Sequence, residues 1–168
     1  MDDPDVEEIK TILLKHEQYQ FSDAELYQFH VLGASLMDPI FELIDASRPD
    51  DAEPTERNSA LSEKSGQITA YFVRSSFILG LEYFDEITDN NLDLENYEDI
   101  PSQAVKLLGI IYKPMDNLFL ELMNEVYDLG NKSKEEMQAM IDNCRQAAVG
   151  VQMNSFRLGV ASGETNQG

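Results

Sequence analysis

The sequence predicts an all-α domain of about five helices, and three observations carry that prediction. Apolar residues recur at three- and four-residue spacing through most of the chain, cap signals precede the periodic runs, and polar stretches rich in proline or asparagine separate them. With 168 residues, 42% of them apolar, there is material for one sizeable core. We therefore expect one domain over residues 1–161 and a flexible tail over 162–168.

Asp3 and Pro4 suit the cap and first turn of helix one, whose periodic residues Val6, Ile9, Ile12, Leu13 and His16 carry it to about Tyr19. Ser22-Asp-Ala-Glu25 is a capping box with Phe21 and Leu26 placed as a hydrophobic staple, so helix two starts there. Leu26, Phe29, Leu32, Leu36, Ile40, Leu43 and Ile44 extend it to about Ala46. Pro39 should kink or restart it. Residues 47–57 carry two prolines and little apolar surface, and read as a loop. Helix three, about Ser59 to Ile87, is apolar around most of its circumference, which places it centrally in a core or at an interface. A second polar loop covers 88–101. Ser102 is a fair cap for helix four, with Gly130 as its stop, and the capping box Ser133-Lys-Glu-Glu136 opens helix five, which should run to about Val160.

The chain also suggests an internal repeat. Met37-Asp38-Pro39-Ile40-Phe41 aligns with Met115-Asp116-Asn117-Leu118-Phe119, and Ser76-Phe77-Ile78-Leu79-Gly80 with Ser155-Phe156-Arg157-Leu158-Gly159, in the same order and at nearly the same offset. Pro39 and Pro114 accompany the two Met-Asp pairs. Two related kinked hairpins, about 22–87 and 101–160, packed about a pseudo-two-fold, would explain both matches. The isolated glycines Gly33, Gly80, Gly109, Gly150 and Gly159 would then let helices approach closely.

The charge is extreme. Asp and Glu number 32 against 12 Lys and Arg, a formal charge of −20. Such a chain cannot neutralise a row of phosphates and is repelled by anionic lipid, so we expect no direct nucleic-acid and no membrane partner. The N-terminus MDDPDVEE is acidic where a leader peptide would be basic, and a lone Cys144, in helical register with Met140, Ile141 and Ala148, reads as core. A cytoplasmic setting is the expectation.

Catalytic signatures are missing from the sequence. His16 and His30 sit on helices beside apolar positions and read as structural, and there is no nucleophile turn or phosphate-binding glycine loop. Asp89 to Glu95 spaces oxygen ligands as a calcium loop would, yet Leu94 replaces the turn glycine and Ile100 the closing Glu, which favours a solvated acidic loop. Glu95-x-x-Glu98 followed by Glu125-x-x-Asp128, and Glu53-x-x-Glu56 followed by Glu82-x-x-Asp85, resemble the magnesium motif of the all-α nucleotide pyrophosphohydrolases. That resemblance implies a magnesium-dependent enzyme. The family places its first pair on a helix, whereas both first pairs here fall in loops, so it stands as the alternative, and no catalytic residue, metal ligand or cofactor is assigned.

What remains is the arrangement of the acids. Asp38, Glu42 and Asp45, then Glu82, Asp85, Glu86 and Asp89 with Asp93 and Glu95 beyond, then Glu121, Glu125 and Asp128, put like charges about one helical turn apart. Like-charge neighbours at that spacing repel. No Lys or Arg lies between Lys15 and Arg48, or between Arg74 and Lys106, and the second gap holds eight acids. Because a one-turn step of about 6 Å approaches the spacing of phosphates, these rows suit the basic groove of a nucleic-acid-binding protein. The expected function is a non-enzymatic inhibitor or regulator that mimics nucleic acid on a basic protein. A self-assembling protein or homodimer, using a helix face as its interface, is the other alternative.

Overall fold

Local cap chemistry sets where the helices begin in the computed structural model, which describes residues 3–48, 53, 55–129 and 132–166. α1 spans Pro4–Lys15, and Asp3 Oδ1 accepts from the Asp5 amide at 2.9 Å. It ends before the expected Tyr19. The chain turns at His16 so that the Tyr19 ring joins Phe21, Phe29 and Phe77 in an edge-to-face cluster.

α2 spans Asp23–Ala46 behind the expected capping box, with Glu25 N donating to Ser22 Oγ at 3.1 Å and Ser22 N to Glu25 Oε1 at 2.8 Å. Tyr19 Oη donates to the other Glu25 oxygen at 2.7 Å. Burial pushes this carboxyl up, but hydrogen bonds from Ser162, Ser22 and Tyr19 outweigh it and hold the group below the ordinary range. α2 continues through Pro39 without restarting.

α3, Glu56–Glu82, starts ahead of the expected Ser59 because Thr55 and Asn58 cap each other's amides. It then breaks at Tyr83, and α4 covers Phe84–Asp89, so one expected helix is two. The break lets Phe84 lie against Gly163, where a side chain on residue 163 would collide with the ring, and buries both Phe84 and Ile87. A short 3-10 turn at Tyr97–Asp99 interrupts the second loop. In α5, Ser102–Leu129, Ser102 is the first helical residue instead of the cap, since Val105 N donates to Pro101 O. Gly130, the expected stop, lies outside the described residues.

α6 spans Lys134–Asn166, with Ser133 Oγ accepting from the Glu136 amide at 3.1 Å. It outruns the expected end near Val160. Residues 162–166 are helical, not tail, and Ser162 and Gly163 are buried. Among the described residues the fold is six helices in a bundle with no strand.

α3 is central, packing against each of the other five helices, and most extensively against α6. Phe72, Phe77, Phe119 and Phe156 are fully buried, as is Cys144, whose thiol burial pushes up to about 12 with a contribution from Glu42. The two short motifs singled out in the sequence meet at the α3–α6 crossing. The Phe156 carbonyl oxygen occupies the space a Cβ on Gly80 would need, and the Phe77 carbonyl oxygen does the same to Gly159. Close approach therefore explains these two glycines. It does not explain Gly109 and Gly150, which face open space, or Gly33, whose nearest neighbour, Thr69, is at ordinary contact distance.

Candidate protein-interaction surface

The twelve carboxylates of the three acidic rows divide into two groups. Asp38, Glu42, Asp45, Asp85, Glu86, Asp89, Asp93, Glu95 and Asp128 are exposed, as expected. Glu82, Glu121 and Glu125 are half-buried and paired with cations from distant parts of the chain, so the local scarcity of Lys and Arg does not leave them unbalanced. Glu82 accepts from Lys15 Nζ at 3.0 Å and from His16 Nε2 at 2.8 Å. Lys64 Nζ reaches Glu121 at 2.6 Å, and Arg57 Nη2 reaches Glu125 at 2.6 Å. These partners lie 57 to 68 residues away in sequence, so no local reading finds them.

Burial drives the Glu82 carboxyl up, yet the hydrogen bonds and charges of His16 and Lys15 outweigh that and leave it below the ordinary carboxylate range. His16 thus has the structural role expected of it. His30 does not: it is exposed on α2. Asp45 is also paired, with Arg48 Nη2 at 3.1 Å, within its own helix end.

The most continuous exposed acid is the strip on α4 and the turn that follows. Phe84 and Ile87 fix α4 to the bundle, which aims Asp85, Glu86 and Asp89 outward. Leu92 N then donates to Ile87 O at 3.0 Å while Asn91 takes a φ of 49°, a left-handed conformation that asparagine tolerates. Leu92 and Leu94 pack on the core, Ile100 is buried, and Arg157 Nη2 donates to the Leu94 carbonyl at 3.0 Å. The turn is closed by its own acids: Asp93 Oδ1 accepts from the Glu95 amide at 2.9 Å and Asp99 Oδ2 from the Asp93 amide at 3.3 Å.

Among the described residues no ion pair involves Glu86, Asp89, Asp93 or Glu95. The field reaches Tyr83, whose phenol is pushed up to about 12 by burial first and then by Glu8, Glu86 and Glu82.

No three His, Cys, Asp or Glu side chains among the described residues gather closely enough to hold a metal. The quartets implied by the pyrophosphohydrolase resemblance are not assembled, since Glu82 and Glu125 are turned toward His16, Lys15 and Arg57. No described helix is long and apolar enough to cross a membrane. No protein family, curated protein or solved structure matches the chain.

Proposed function

We propose that this is a non-enzymatic interaction protein that engages a basic, nucleic-acid-binding protein through its acidic strip, acting as an inhibitor or regulator by occupying the phosphate-binding surface. The observation that carries the reading is the anchored strip of Glu86, Asp89, Asp93 and Glu95, exposed and without ion-pair partners among the described residues. Like charges held together on a fixed scaffold oppose folding, and a cationic surface relieves that opposition on docking. Asp38 and Glu42 on α2 and Asp128 on α5 offer further exposed carboxylates.

The test is capture of a basic DNA-binding protein at low salt, with the quadruple reversal of Glu86, Asp89, Asp93 and Glu95 to Lys as the comparison. Binding should fall steeply with salt, be lost in the reversal, and be displaced by duplex DNA. Capture that ignores both salt and charge reversal refutes the reading. Glu82 is kept out of the reversal because it holds α1 to α3. The reciprocal contact of Gly80 and Gly159 supports an internal two-fold relating 22–87 to 101–160. Superposition of the two halves tests it.

A further inference from the structure

The acids are unevenly distributed along the helices, α2 included. Between Glu25 and Asp38 it carries no acid at all, and the facing stretch of α3 from Lys64 to Leu81 carries none either. In a chain of charge −20 these two stretches make an acid-poor face. Between the two helices runs an apolar groove of about 550 Å³, lined by residues that include Leu26, Met37, Phe41 and Val73. Along the outer side of α2, Tyr27, Val31, Ala34, Asp38 and Phe41 are all exposed and follow the alternating four- and three-residue spacing of a helix–helix seam. Tyr27 is 65% exposed, Val31 42% and Phe41 43%.

This stripe is self-complementary about Ala34. Two copies of α2 laid antiparallel, with Ala34 at the crossing, bring residues at equal distances on either side of the centre together. At a rise of 1.5 Å per residue, Tyr27 and Phe41 each lie about 10 Å from it, so the ring of each meets the ring of the other copy. His30 and Asp38 each lie about 6 Å from it, on opposite sides, so the imidazole of one copy faces the carboxylate of the second. The small Ala34 side chain permits close approach, and the aromatic rings close over the groove.

We propose that the α2 stripe is the interface of a two-fold symmetric homodimer, its occupant a second copy of this chain. Isologous interfaces require this kind of self-complementarity, which a binding site for an unrelated helix does not. α3, whose apolar circumference also suggested an interface, packs against all five other helices and meets this groove along one side. The dimer withdraws Asp38 from the carboxylates open to a basic partner and leaves the strip on α4, which does not contact α2, free.

Sedimentation velocity across a concentration series tests the proposal. The wild type should dimerise, and more strongly as salt rises, because salt screens the mutual repulsion of two highly acidic copies. Binding to a basic partner has the opposite salt dependence, so failure of one reading is distinguishable from failure of the other. Ala34→Arg should give a monomer. His30→Glu alone and Asp38→Lys alone should each weaken dimerisation by roughly two- to thirtyfold, since the pair occurs twice. The double variant His30→Glu/Asp38→Lys, which sets a glutamate opposite a lysine across the seam, should recover it. All three positions are exposed, so helical circular dichroism should be unchanged. A wild type that remains monomeric at every concentration, or a double variant no better than either single one, overturns the interface.

Discussion

Gly80→Ala places a methyl group where α6 presents main chain. The built Cβ falls on the Phe156 carbonyl oxygen and lies 2.9 Å from Val160 N and 3.0 Å from Gly159 Cα. None of these atoms can rotate away, because each belongs to the helical backbone of α6. The helices must separate, and the loss spreads to Phe77 and Phe156, both fully buried near the crossing. Overpacking of this kind costs about 3 kcal/mol. Alanine recovers about 1 kcal/mol of helix propensity over glycine, which leaves a net loss of about 2 kcal/mol. For a chain of this size that lowers Tm by roughly 4–8 °C.

Gly109→Ala is the matched control. Nothing lies within 4 Å of its built Cβ, so only the propensity gain of about 1 kcal/mol operates and Tm should rise by roughly 2–4 °C. Thermal and urea melts followed by circular dichroism measure both. The double variant Gly80→Ala/Gly159→Ala should cost less than the sum of its parts, since one separation of the helices relieves both clashes. If Gly80→Ala melted like Gly109→Ala, the close crossing and the energetic reasoning built on it would be wrong.

Three further outcomes follow from single side chains. Ser76 Oγ is buried with no hydrogen-bond partner, whereas Ser155 Oγ donates to Val151 O at 2.7 Å. Ser76→Ala should therefore stabilise the protein by about 1 kcal/mol in a urea melt and Ser155→Ala should not. Glu82 has a folded pKa below its ordinary 4.5, so its stabilising contribution is present above that pH and is lost as pH falls through the folded value. The stability difference between wild type and Glu82→Gln, measured by denaturation at a series of pH values, should thus be full near neutrality and shrink below about 4.5. Cys144, buried and pushed up to about 12, should resist a thiol reagent in native buffer and react fully in urea; rapid native labelling would contradict its burial.

Much of the fold was legible because cap chemistry is local. Ser22 and Glu25 marked the start of α2 to the residue, since both halves of the box lie within three positions and need no tertiary information. The break at Tyr83 was not legible, as it depends on Phe84 finding Gly163, a residue 79 positions away. The same distinction governs the acids. Their one-turn spacing is readable from the sequence, but the cations that withdraw Glu82, Glu121 and Glu125 arrive from α1 and α3. His30 was misread for a related reason: its apolar neighbours Phe29 and Val31 suggested burial, and only the packing of α2 shows which side of the helix faces out.

The α3–α6 crossing also bears on when the molecule can form during synthesis. Phe77 and Gly80 obtain their closest packing from Phe156 and Gly159, which are synthesised 79 residues after them. Until then α3 carries a face of buried-type residues with nothing to cover it, whatever α1 and α2 have already done. Closing so long a loop is entropically slow, and the uncovered face is a hazard for misassociation while it waits. A nascent chain stalled before Phe156 should remain protease-sensitive throughout α3, and protection should appear in one step once α6 is complete.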